Sequence, residues 1–369
     1  GYFCNTAGGA FTVNLPAGSA GAIVGLKDYA GTWDSNAVTL NPNGSDKIGG
    51  GADADPTLTA EGGSVLLVFV DSTQGWLATQ QSVTESPSGV ETFVVASGGT
   101  ITTSNNDKIH TFTGPGTFTV CSAATCATNN VVSYLVVAGG GSSNPASPAP
   151  GGGGGGGYRE VISPSSPYTG SPLNGYPSAP NRITVTATSF PITVGAGGST
   201  NGASSPSIFS TITSTGGGAG GGSPFAPPTT QGQAGGSGGG GQGGPGGSGG
   251  SGNTPPVSPS QGNNGGAGDP NPPNSSGGGG GASCTGGGGT SGNAGAGGAG
   301  TATQITASAI NFSAGGGGGG LGPTAGGGAS PCGSGAGSGG AGTANRGMGA
   351  GGAGAAGGSG IVIIRYKFQ

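Results

Sequence analysis

Seven consecutive glycines at 151–157 constrain this chain more than any other feature. A residue without Cβ buries little apolar surface, and fixing it costs more conformational entropy than fixing any other residue. A run of this kind either stays unfolded or is held by something other than a hydrophobic core. Gly-rich runs recur from 139 to 359, the longest at 231–252, 277–300 and 333–359. In all, 97 of 369 residues are Gly and 27 are Pro, a combined share near a third where roughly 12% is usual. The runs do not keep the third-residue register of collagen. One ordered solution is a polyglycine II helix, with about three residues per turn and a rise of about 3.1 Å per residue. Alone it is solvated. Packed side by side, such helices exchange N–H···O=C bonds and approach closely on every side, which meets the pairing demand of buried backbone. Residues 151–157 would span roughly 22 Å in this form.

Strand-like segments interrupt the runs: RITVTA, FPITV, SIFSTITS, TQITASAINF and the closing IVIIRYKF at 361–368. A closing strand this apolar needs a sheet to join, so the Gly runs read as long insertions between strands of one sandwich. Residues 1–84 differ in composition. FTVNLP, AGAIVGL, AVTLNP, SVLLVFVD and GWLATQ have strand-and-turn spacing, and Asn-Gly in PNGS at 42–45 is a hairpin signal. Both tryptophans, Trp33 and Trp76, lie in this part. The expected organisation is a β module at 1–84, a linker at 85–89 and a Gly-rich domain at 90–369. The fold class is all-β, with a β-sandwich carrying a bundle of polyglycine II helices and essentially no α-helix.

Charge excludes several functions. Eight scattered basic residues and a net charge of −4 do not make a nucleic-acid surface. The longest apolar runs are short, as at Val65–Val70, well under a bilayer span. No signal peptide is visible and the first residue is Gly, which suggests a processed product or a piece of something longer. The five cysteines allow a local Cys121–Cys126 link and a Cys284–Cys332 staple between Gly-rich segments; five reduced thiols are the alternative.

Catalytic patterns are missing. G-x-G-x-x-G matches are uninformative among so many glycines, and no lysine follows a glycine as a P-loop requires. The single histidine, His110, sits in KIHTF and reads as a strand residue. Beyond residue 160 the only carboxylate side chain is Asp269, so the Gly-rich region lacks the carboxylate pair of a glycosidase. Asp53 and Asp55 offer too few oxygens for a cation. We expect no enzyme, no cofactor and no metal.

SYLVVAGGG, GGGGGGGYREV, ITVTATSFPITVGAGG, FSTITSTGGGAGG and GGSGIVIIRYKFQ resemble the glycine-rich C-terminal region of phage tail-fibre proteins, particularly marine ones. GYF, FTVNLPAGSAGAIVGLKDYAGTW, LNPNGSDKIGG and VDSTQGW are similar to a module of the same proteins. The polyglycine sandwich is also similar to that of phage distal-tip adhesins, which lack this N-terminal module, and to part of the extracellular region of some animal receptor kinases. The resemblance implies a receptor-binding protein at the distal end of a virion tail fibre. It implies a homotrimer joined to other tail-fibre proteins, whose loops between Gly helices touch a host glycan or outer-membrane protein.

The loops that punctuate the runs are 142–150, 223–231, 253–264, 269–276 and 321–331. Pro stiffens them, and Asn and Ser supply hydrogen bonds, a composition suited to recognition. Candidate contact residues are Asn144, Phe225, Thr229, Val257, Asn263, Asn264, Asp269, Asn271, Asn274 and Thr324. Alternating outward and returning runs place 142–150, 223–231 and 321–331 together at the end far from the sheet and leave 253–264 and 269–276 open. The stretch 162–180, with Tyr168 and Tyr176, is expected at either the sheet end or the tip. The competing functional readings are a purely structural Gly-rich fibre or extracellular filament and a secreted host adhesin or receptor ectodomain.

Overall fold

The structure is a computed structural model that describes residues 1–51, 55–81, 92–145, 147, 149–199, 204–222, 230–320 and 339–369. The expected linker at 85–89 lies outside them. The chain forms two compact units, Gly1–Phe93 with Ala124–Cys126, and Val94–Ala123 with Ala127–Gln369.

The first unit contains β1 (Tyr2–Cys4), β2 (Phe11–Asn14), β3 (Ile23–Asp28), β4 (Val38–Asn41), β5 (Thr57–Leu58), β6 (Ser64–Phe69) and β7 (Trp76–Gln81). They form two sheets, ordered β1-β3-β6-β7 and β2-β4-β5. Period-two alternation puts Val24, Leu26, Val65, Leu67 and Phe69 inside, where they pack with Trp33, Trp76, Val38 and Leu40. The buried Asp28 carboxylate accepts backbone N–H bonds from Ala30, Gly31, Trp33 and Gly62. Burial alone would raise its pKa, but the backbone donors outweigh that and hold the carboxyl below its ordinary value. The hairpin expected at 42–45 is corrected. Gly44 takes a left-handed φ of 57° and Asn43 closes a turn to Asp46, yet β4 pairs parallel with β2 and antiparallel with β5. The turn at 43–46 therefore does not close a tight hairpin: the antiparallel partner β5 begins only at Thr57.

The second unit contains β8 (Val95–Ser97), β9 (Thr100–Ser104), β10 (Asp107–Phe112), β11 (Gly116–Ser122), β12 (Val131–Val137), β13 (Tyr158–Val161), β14 (Ile183–Thr184), β15 (Ser189–Thr193), β16 (Ser207–Phe209), β17 (Ile212–Ser214), β18 (Thr301–Thr303), β19 (Ile310–Phe312) and β20 (Ile361–Lys367). Helical structure among the described residues amounts to two 3-10 turns, Ala127–Asn130 and Ala179–Asn181. One sheet runs β13-β12-β20-β10-β9, with β14 also on β12, and a second runs β17-β16-β15-β11-β8. They face each other through His110, Phe118, Phe209, Tyr134 and Tyr366, whose rings meet at 5.0 to 6.2 Å. The other face of the first sheet is covered as well. Ile109, Leu135, Tyr158, Ile361 and Ile363 pack there with Ile305, Phe312, Tyr168 and Leu173. Burial on both faces explains why β20 is apolar without alternation.

The buried ionisable groups Asp107, Glu160, Arg365 and His110 inside this sandwich are paired, as burial demands. Asp107 takes Arg365 at 2.7 and 3.1 Å, and Arg365 also donates to Ile305 O. Glu160 accepts from Tyr158 OH, Tyr168 OH, Thr303 Oγ1 and both the N–H and Oγ of Ser171. His110, fully buried, bridges Gly98 O at 2.7 Å and Tyr366 OH at 3.0 Å, so it is the strand residue that its sequence context suggested.

The Gly runs form a lattice. The amides of 151, 154 and 157 donate to Gly221, Gly218 and Thr215; those of 152 and 155 to Gly277 and Gly280; those of 153 and 156 to Ala350 and Gly347, all at 2.7–3.1 Å. Every third residue thus addresses the same neighbouring run, which is the three-residue turn of polyglycine II. In return, 152 and 155 accept from Gly240 and Ser237, 153 from Gly316, and 154 and 157 from Gly141 and Ala138. The run at 151–157 therefore has six neighbours. A Cβ on any of residues 151–156 would lie 1.9–2.4 Å from a neighbouring carbonyl oxygen. Close approach on all sides is why this run is Gly throughout, while runs nearer the bundle surface admit Ala219, Ser248, Ala296 and Ala353.

Candidate functional site

Gly157 leads directly into β13, so the bundle has a sheet end at 157 and a far end at 151. Hydrogen-bond levels sort the loops between these ends. Segment 142–150 lies at the far end. There Ser143 Oγ donates to Gly351 O and accepts from Gly354 N and Ala355 N, and Ser276 Oγ donates to Pro150 O at 2.7 Å. Segment 269–276 joins it: Ser275 bridges Gly320, Gly244 N donates to Asp269 O, and Asp269 N donates to Ser275 O. Gly222, Thr230, Gly320 and Gly339 are also at this end.

Segment 253–264 lies at the sheet end. Asn181 Nδ2 donates to Ser258 O, Thr215 N donates to Gln261 Oε1, and Tyr158 N donates to Gln261 O. Gln261, fully buried, also donates through Nε2 to Pro255 O. The stretch 162–180 is at the sheet end too, where Tyr168 reaches Glu160.

The candidates separate accordingly. Asn144, Asp269, Asn271 and Asn274 come to the far end, with Asn144 buried and Asn271 exposed. Val257, Asn263 and Asn264 do not belong to a tip. Val257 exchanges hydrogen bonds with Asn253; Asn263 Nδ2 donates to Gly281 O and Ala282 O; Asn264 Oδ1 accepts from Gly252 N. The Asn263 and Asn264 side chains cap glycine runs at the sheet end, and Val257 is held there through its backbone. Phe225, Thr229 and Thr324 lie outside the described residues, as do Asp53 and Cys332. Among the described residues Cys121 and Cys284 carry free thiols: Cys121 is an exposed strand residue, and Cys284 accepts from Gly281 N through its backbone carbonyl, while the suggested Cys284–Cys332 staple falls on Cys332, outside the described residues.

Two far-end segments escaped the sequence reading. At 243–247, Thr230 Oγ1 donates to Gly246 O and Pro245 is exposed. At 290–293, Thr290 and Asn293 exchange backbone bonds at 2.6 and 2.9 Å, with exposed Thr290, Ser291 and Asn293. Their signals were a lone proline in GQGGPGGS and a TSGN turn between glycines. The described far-end surface is consequently built of Pro145, Thr230, Gln231, Pro245, Asn271, Pro272, Thr290 and Asn293, all neutral. Its one carboxylate, Asp269, is mostly buried and accepts from the N–H and Nδ2 of Asn271 at 3.0 and 3.2 Å. Such a surface offers hydrogen bonds and stiff apolar rings on a rigid base.

Residues 111–367 match a family model described as a glycine-rich domain. No curated protein matches the chain.

Proposed function

The chain belongs to the glycine-rich domain family over residues 111–367, and from that membership we propose that it is a non-catalytic adhesin, the receptor-binding tip of a phage tail fibre. The observation that supports this reading is the gathering of neutral Pro/Asn/Thr loops at one end of a lattice in which every amide of 151–157 is held by a neighbouring run. A spacer would need the lattice but not chemically distinct loops gathered at its far end, where 142–150, 243–247, 269–276 and 290–293 meet. Rigid presentation lowers the ordering cost of binding, and polar loop residues on a stiff scaffold recognise a surface without charge steering. As part of the same reading, the chain assembles into a homotrimer through its first unit at the distal end of the fibre; light scattering of the intact chain then gives three times its 33.6 kDa mass.

Exchange of 270–273 for Gly-Ser-Gly-Ser, and separately of 290–293, tests the recognition. Pull-down on bacterial cells, either stripped of polysaccharide or stripped of surface protein, should fail for both variants while amide exchange in the bundle is unchanged. Full attachment by both variants would place recognition away from these loops; no attachment by the unaltered chain to any cell panel would favour a structural filament.

A further inference from the structure

The first unit carries a second candidate ligand site, independent of the far-end reading. Residues 1–93 hold nine carboxylates against two lysines. Yet the outer face of the β1-β3-β6-β7 sheet holds a trough of about 890 Å³ lined by no acidic residue, within the usual size of a small-ligand cleft. Its floor is Gly25, flanked by Leu66 and Gly1, with Lys27 also lining the trough. Phe3 stands beside Lys27 across the β1–β3 pair and is 75% exposed; Tyr2, at the rim, is 66% exposed. Gln80 stands opposite Leu66, and Ser64 opposite Lys27. Thr79 completes the polar side.

These groups have a common ligand chemistry. Exposed aromatic rings offer an apolar platform with a negative face, to which polarised C–H groups are attracted. The amide of Gln80 and the hydroxyl of Ser64 can both donate and accept, while Thr79 Oγ1, which donates to Leu66 O, can still accept. Lys27 Nζ already donates to Gly62 O, and an ammonium has further N–H groups for an acceptor oxygen. Hydroxyl-rich rings with one apolar face fit all four features. The charge of the unit selects against polyanions, since any anion must approach a strongly acidic body within a Debye length of about 8 Å at physiological salt. The absence of carboxylates in the trough gives nothing to a cation. We propose that this trough binds an uncharged saccharide chain, with a pyranose ring on Phe3 and its hydroxyls on Lys27, Ser64, Thr79 and Gln80.

Titration of the full chain with cellohexaose, mannohexaose and galactohexaose, followed by saturation-transfer NMR and calorimetry, tests this. At least one of the three should bind. Phe3→Ala should weaken it about tenfold, as for an aromatic anchor, and Gln80→Ala should weaken it measurably. Tyr29→Ala, an exposed aromatic that does not line the trough, should leave it unchanged. Phe3 and Tyr29 are both solvent-facing, so folding is not at issue, and near-UV circular dichroism checks it. Failure of all three sugars to bind, binding indifferent to Phe3→Ala, or tighter binding of hexagalacturonate would each overturn the proposal. So would concentration-dependent self-association abolished by Phe3→Ala, which would make this face a contact between copies.

Discussion

Gly153→Ala places a methyl group at the centre of the lattice. Its Cβ would lie 2.1 Å from Gly141 O, about 1.3 Å inside ordinary carbon contact. That oxygen is backbone, so relief requires the 139–141 run to shift by about an ångström. That shift breaks Gly141 N→Gly154 O at 2.8 Å, Ala350 N→Gly141 O at 2.9 Å and Gly198 N→Gly140 O at 2.9 Å. Three buried backbone bonds at ~1 kcal/mol each give a loss of about 3 kcal/mol. Reduced freedom of the unfolded chain returns roughly 0.4–1 kcal/mol, leaving a net destabilisation of about 2–3 kcal/mol. Gly288→Ala is the control. It is exposed, its nearest neighbour would be Ala267 O at 3.6 Å, and only the unfolded-state gain of roughly 0.4–1 kcal/mol applies. Urea unfolding separates the units by signal, because Trp33 and Trp76 report the first unit while the buried Tyr134, Tyr158 and Tyr366 dominate the tyrosine change of the second, Tyr2 and Tyr29 of the first unit being already exposed. Gly153→Ala should lower the tyrosine midpoint and leave the tryptophan midpoint in place, whereas Gly288→Ala should raise the former slightly. Equal or higher tyrosine midpoints for Gly153→Ala would refute close-packed glycine as the reason for the run.

Asp107→Ala should destabilise the second unit by about 3–5 kcal/mol, since it leaves the Arg365 guanidinium buried without its partner; urea unfolding measures it. Burial, with a smaller contribution from nearby Lys108, holds the His110 pKa below its ordinary value of 6.5 despite the Gly98 carbonyl. The unfolded chain therefore binds the proton more readily. Stability is fully present above about pH 6.5 and falls as pH drops below it, by up to about 1.4 kcal/mol per unit until the folded group titrates. His110→Gln should flatten that slope, and an unchanged slope would assign it to other groups. Cell attachment through the far end should change little between low and high salt, because its described exposed groups are neutral; a steep fall would point to charged contacts elsewhere.

Much of this architecture was legible because local chemistry dictates it. Glycines at 151–157 exclude a side-chain core, and the only way to order them is mutual backbone pairing. IVIIRYK announces a strand buried on both faces. Loop placement was less accessible. Parity along the runs correctly put 142–150 at the far end, but the position of 253–264 depends on Gln261 capturing Thr215 N and on Asn181 reaching Ser258 O. Those partners are 46 and 77 residues away in sequence, so no local pattern could show them. Asn263 and Asn264 look like recognition residues for the same reason that they cap runs: an amide suits both tasks. In the first unit, the parallel pairs β1–β3 and β2–β4 are non-local, so Asn43-Gly44 signalled a turn but not its partners.

Site-resolved amide hydrogen exchange of 151–157 tests the central claim most directly. If each amide is held by one of three neighbouring runs, all seven should exchange as slowly as the amides of β20 and far more slowly than those of the exposed 290–293 turn. Exchange of this run at the rate of an unstructured polyglycine would contradict the lattice, and with it the rigid base on which the far-end loops are presented.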